Sequence, residues 1–124
     1  MERSHEVPIP GLTVQRRLST VAMQAALEGT LEVTPTNCLV VRMPYSPVPG
    51  TESTMDVDVA WPPGWSAGIR EDTPVLVDAD GQIVARLGDE VRVGGGFIEP
   101  ARIGVVPCTG QEGRVFEAYE LSRL

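Results

Sequence analysis

Several groups of residues in this 124-residue chain have the types and spacing to do chemistry. Gly64-Trp65-Ser66-Ala67-Gly68 matches G-x-S-x-G, which in serine hydrolases exposes a nucleophile on a sharp turn between strand and helix. The context does not suit that task. Pro62-Pro63 precedes the motif, no long helical pattern follows it, and the single histidine, His5, lies far upstream. Asp56 and Asp58 are two residues apart on a strand pattern, which sets their carboxylates about 7 Å apart on one face. Such a pair can hold a divalent cation or a substrate hydroxyl, and burial of one partner can make it a general acid. The alternation with Met55, Val57 and Val59 favours a solvated outer face instead. Asp78-Ala79-Asp80-Gly81 opens like a calcium loop, but Gln82 and Asp89 stand at its fifth and twelfth positions, so a tight hairpin turn is the better account. Gly94-Gly95-Gly96 could cradle a phosphate only ahead of a helix, which Phe97-Ile98-Glu99-Pro100 does not start; a bulge or a close backbone approach fits better.

Two tryptophans and two arginines are the candidate ligand-binding residues. Trp61 and Trp65 are two of only six aromatic residues, and they sit four apart in a proline-stiffened loop at a strand end. An exposed indole there would suit recognition, whereas Trp61 also continues the apolar face of its strand and can cap the core. Arg86 and Arg92 fall on consecutive strands and can recognise an anion together, or pair with Asp78, Asp89 or Glu90. Cys38 and Cys108 lie seventy residues apart with no C-x-x-C motif, which leaves open two free thiols or one bridge.

Composition narrows the classes. All ten basic residues are Arg, so a Schiff-base lysine and a Walker lysine are both excluded. One histidine leaves no multi-histidine metal site, and no cofactor fingerprint is present. A formal charge of −7 opposes nucleic-acid binding, which draws its affinity from clustered positive charge. The arginines form no run, and the acids fill the polar half of alternating strand patterns. No apolar run reaches the length of a membrane-spanning helix. The first thirty residues lack the continuous apolar stretch of a signal peptide, so the chain as written reads as cytoplasmic, or as exported if a leader lies upstream.

The elements that must position these groups are short. Thirteen Gly and eleven Pro imply many turns in a single domain. Residues 1–16 read as a loosely held, extended arm, with Pro8, Pro10 and Gly11. Leu18, Val21, Ala22, Ala25 and Ala26 have helical spacing and predict a short helix over 17–26. From there the period changes to two. Leu27, Leu31 and Val33 alternate with Glu28, Glu32 and Thr34; residues 38–43 read as the antiparallel return; 44–53 reads as a loop; and 55–61 reads as a one-sided strand. Residues 75–77 and 83–87 flank the turn at Asp80-Gly81, and 90–93 form a strand that the glycine triplet ends. A weaker strand is expected over 103–106, and 115–119 reads as a last strand or a short helix. The fold class is all-β, a small barrel or sandwich of five or six short antiparallel strands spanning about 27–121, with one short N-terminal helix; helix and barrel together form one domain over 17–124.

Val77-Asp78-Ala79-Asp80-Gly81-Gln82-Ile83-Val84-Ala85-Arg86-Leu87-Gly88-Asp89, followed by the glycine triplet and preceded by Trp61-Pro62-Pro63-Gly64-Trp65, resembles a small β-barrel domain found mainly in actinobacterial proteins, often exported lipoproteins. The resemblance covers about Gly29 to Cys108, implies an OB-like fold, and places Cys38 and Cys108 where that family carries cysteines. Asn37 stands before Cys38 where the family has Gly, and the aromatic pair expected after the second cysteine is missing. The family carries no assigned activity, and a shared fold implies none.

The expected function is therefore a non-catalytic binding or interaction module without a cofactor, holding a protein or small ligand on the loop from Trp61 to Ser66. The alternatives are a hydrolase or ion-dependent site using Asp56, Asp58 or Ser66, and OB-type binding of single-stranded nucleic acid, which the charge and the few aromatics oppose.

Overall fold

Alternating apolar residues dictate most of this fold, because each strand must turn one face to a shared core. The computed structural model describes residues 7–17, 24–46, 48–110 and 113–124. Its strands are β1 (Thr13–Val14), β2 (Ala25–Val33), β3 (Leu39–Tyr45), β4 (Ser53–Val57), β5 (Val59–Trp61), β6 (Ser66–Arg70), β7 (Thr73–Val77), β8 (Ile83–Arg86), β9 (Glu90–Ile98) and β10 (Val115–Arg123). Seven strands form one sheet in the order β1-β5-β10-β9-β2-β3-β4, and β6-β7-β8 form a second. Among these strands pairing is antiparallel, except that β5 runs parallel to both β1 and β10; the isolated bridge Gly11↔Cys38 is parallel as well.

The larger sheet curls upon itself. β4 and β5 are one stretch of chain broken only at Asp58, yet β4 pairs with β3 and β5 pairs with β10. The change of partner happens at Asp58, whose carbonyl accepts the Phe116 N–H at 3.0 Å. Inside the curl lie Leu27, Leu31, Leu39, Val41, Val57, Val59, Trp61, Val91, Val93, Phe116 and Ala118, and Leu76 and Ala85 of the smaller sheet complete the cluster. The alternation read at Leu27 and Leu31 is thus the inward face of β2.

Several expectations are corrected. The helix does not run to residue 26: Ala25 and Ala26 open β2 and pair with Gly95 and Gly94. Sheet pairing overrides their helical spacing, and residues 18–23 lie outside the described residues. Residues 11–15 are held, not loose, since Thr13 and Val14 pair with Ala60 and Trp61, and Thr13 and Gln15 are buried. Residues 44 and 45 continue β3 despite the proline, and 66–70 form a strand that the sequence pattern does not announce. Residues 100–103 form a 3-10 helix in place of part of the weak strand, because Pro100 fixes the first turn and Gly104 ends it at φ 65°.

The glycine triplet does not end its strand. It lies within β9, which pairs with β2 on one side and β10 on the other. A Cβ on Gly95 would collide with the Glu117 carbonyl, so glycine is required by close approach of the backbones. Gly29 is required in the same way, against the Arg42 carbonyl.

Candidate binding surface

The two aspartates that pattern set on one face have different fates. Asp56 is opposite Arg42 across β3 and β4, and its carboxylate accepts from Arg42 Nε at 2.7 Å and Nη2 at 3.2 Å. Glu32 stands 4.0 Å from the same guanidinium. The hydrogen bond with Asp56 is the main cause holding the Arg42 pKa above its ordinary value, against desolvation and with added attraction from both acids. Asp58 is instead 3 % exposed, which the solvated-face reading did not anticipate. Its Oδ1 accepts from Thr13 Oγ1 at 2.6 Å, and its Oδ2 accepts from Thr109 N–H and Oγ1, both at 2.9 Å. Thr13 Oγ1 in turn accepts the Cys108 N–H at 2.8 Å.

Asp58 therefore ties β1, the β4–β5 junction and the turn at 107–110 together. Beside it, Cys38 and Cys108 form a disulfide with their Cα atoms 5.9 Å apart. Gly11 lies against this bridge: it pairs with Cys38, and a Cβ added there would sit 2.6 Å from Cys108 Sγ. Carboxylate, hydroxyls and bridge make a staple over the N-terminal segment. They hold structure and leave no carboxylate oxygen of Asp58 without a donor.

The remaining candidate groups are dispersed. Ser66 is exposed on β6, an outer strand of the smaller sheet, followed by strand and not helix. His5 lies outside the described residues. Asp78 Oδ1 accepts the backbone N–H groups of Asp80 and Gln82, and Gly81 adopts φ 82°, so this segment is a side-chain-supported turn. Among the described residues, no group of three or more His, Cys, Asp or Glu could hold a metal ion. Glu117 is wholly buried; its Oε1 accepts from Tyr119 Oη at 3.3 Å, and its Oε2 has no partner among the described residues.

Trp61 and Trp65 are brought together, with ring centroids 5.6 Å apart and planes within 6°. Trp61 is fully buried, and Trp65 is half-buried against the core. Much of the Trp65 indole is thus committed to covering Trp61. Arg92 pairs with Glu28 on β2 at 3.5 Å, while Arg86 is exposed on β8, where its N–H donates to Asp89. Among the described residues, no hydrogen bond, ion pair or ring contact joins either arginine to an indole.

The surface that pattern reading missed is the β3–β4 hairpin. β3 loses its β2 partner after Arg42, yet its pairing with β4 continues to Tyr45↔Ser53. The hairpin therefore projects beyond the core. Val41 and Val57 are buried and Met43 packs partly against the core, but Tyr45 and Met55, which continue the same strand face, are exposed. Tyr45 is 47 % exposed, Met55 41 % and Val48 57 %. A groove of about 600 Å³ lies here, lined by Pro44, Tyr45, Ser46, Glu52, Ser53 and Thr54. The period-two step from Val41 through Met43 to Tyr45 was the available signal, hidden by the prolines that made 44–53 read as a loop.

No family model matches the chain, and no curated protein or solved structure does so either. Among the described residues, no helix is long and apolar enough to cross a membrane.

Proposed function

We propose that this chain is a non-catalytic interaction module on an OB-like barrel, and that it docks a polypeptide partner of apolar and basic character on the projecting β3–β4 hairpin. The observation that carries this reading is the exposure of Tyr45, Val48 and Met55 on a hairpin whose groove is lined by Tyr45 and Glu52 among others. The OB-like reading draws support from the strand count: with β4 and β5 taken as one bent strand, β2, β3, β4–β5, β10 and β9 are five strands around one core. Binding is favoured over chemistry because Asp56 and Asp58 are held by separate partners and Ser66 lies on an outer strand. Single-stranded nucleic acid is the less favoured ligand, given the −7 charge and the acidic groove.

The loop from Trp61 to Ser66 is the second candidate face, since Trp65 keeps part of its indole at the surface. Affinity capture with three matched baits separates the two. A partner retained by the wild type and by Trp65→Ala, but lost by Tyr45→Ser/Met55→Ser, supports the hairpin. Loss by Trp65→Ala alone moves docking to the tryptophan loop. Capture indifferent to both changes refutes both faces.

A further inference from the structure

We propose that β4 is an acceptor edge that takes an extended peptide as an added antiparallel strand, and that this peptide carries basic side chains. The inference rests on the hairpin being the docking face and specifies how it is used. β4 ends the order of the larger sheet with β3 as its neighbour, so among the described residues the backbone groups on its far side have no strand to pair with. Residues 51–55 are all exposed along this edge, and Glu52, Ser53 and Thr54 line the groove. β4 lacks the strongest devices that blunt an edge against such pairing, and its one charge, Asp56, is drawn to Arg42 on β3. Its sequence Ser53-Thr54-Met55-Asp56-Val57 has neither Lys nor Pro, and its register with β3 runs without a bulge. The outer strand β8 differs, because its Arg86 N–H already donates to the Asp89 carboxylate.

Charge selects the occupant. Glu52 is the charged residue of the groove, and Asp56, four residues further along the chain, is already engaged by Arg42. A second copy of this chain fits poorly. Two-fold antiparallel pairing centred on Thr54 sets Glu52 of each copy opposite Asp56 of the other, between molecules that each carry −7. A peptide with a basic side chain opposite Glu52 and apolar side chains near Met55 and Tyr45 removes that repulsion and covers the exposed face.

The test uses fluorescein-labelled hexapeptides and anisotropy with the full chain. One alternates valine and arginine, a second alternates valine and glutamate, and two further versions of the first are N-methylated on one or the other alternate set of backbone nitrogens. In an added strand only every second N–H faces the acceptor edge. The valine–arginine peptide is expected to bind, the glutamate peptide at least about tenfold more weakly, and one N-methylated version to lose binding while the other keeps it. Thr54→Pro is expected to abolish binding; if it unfolds the chain, Glu52→Arg serves instead and reverses the charge preference. Equal binding of both N-methylated versions overturns strand addition, and the loss of that binding in Tyr45→Ser/Met55→Ser would leave the hairpin as docking face. Failure of both charge types to bind overturns the proposal. So does a sedimenting dimer that Thr54→Pro or Glu52→Arg dissolves, which would assign the edge to a second copy.

Discussion

Replacing Asp58 by Ala should be among the most damaging polar changes in this protein. The carboxylate accepts three hydrogen bonds from Thr13 and Thr109 while 3 % exposed. Removing it leaves the buried Thr13 hydroxyl proton without its acceptor and takes one acceptor from the half-buried Thr109 hydroxyl and N–H. A buried donor left without its acceptor costs about 1–3 kcal/mol, and these three share one site, so their losses do not add fully; about 3 kcal/mol is the expected total. Asp58→Asn keeps a carbonyl acceptor and should cost about half as much. Asp56→Ala is the control: its partner Arg42 is about a third exposed on its side chain and can turn to water, so the loss should stay below about 1 kcal/mol. Urea unfolding followed by far-UV circular dichroism reads all three, at unchanged m-value. The reasoning fails if Asp58→Ala costs no more than Asp56→Ala, or if Asp58→Asn is the more damaging of the Asp58 pair.

Two more outcomes follow from the same geometry. Reducing the Cys38–Cys108 bridge, whose cysteines are 70 residues apart, should remove about 4 kcal/mol of stability by chain entropy, seen as a lower urea midpoint with dithiothreitol. An unchanged midpoint would show that the Asp58 hydrogen bonds and β1 pairing hold the staple unaided. Gly95→Ala should destabilise by at least about 2 kcal/mol, since the added methyl meets the backbone carbonyl of Glu117 and no rotamer relieves it. Gly81→Ala, with nothing near its Cβ, should lose only the turn preference of glycine, about 1 kcal/mol, and a thermal melt in which it lowers Tm more than Gly95→Ala contradicts the close-approach account.

What pattern could read was whatever one strand and its turn decide alone. The alternation of Leu27 and Leu31, and the Asp78-supported turn at Gly81, depend on neighbours a few residues away, and both stand as read. The close backbone approach expected at the glycine triplet is present at Gly95, but the triplet reads locally as a strand end because the carbonyl it meets, Glu117 on β10, lies about twenty residues further along the chain. Asp58 alternates like a surface residue, but the hydroxyls that bury it come from Thr13 and Thr109, and no local period reports a partner that distant. Ala25 and Ala26 fit helical and strand patterns equally, and only the opposing Gly95 and Gly94 decide between them. The indoles were the legible part of the candidate site; Trp61 lies in the core, as the apolar face of its strand implied, and Trp65 stacks on it half-buried. The hairpin face stayed hidden because Pro44 interrupts a period that Tyr45 continues.

The most direct test of the central claim follows methionine methyl and indole N–H resonances while the valine–arginine hexapeptide, or a partner captured on the wild-type chain, is titrated in. The Met55 and Met43 methyls should shift in proportion to occupancy, with the Trp65 indole N–H unmoved. A Trp65 indole that shifts while Met55 and Met43 stay still would contradict the account and place the docking face on the tryptophan loop.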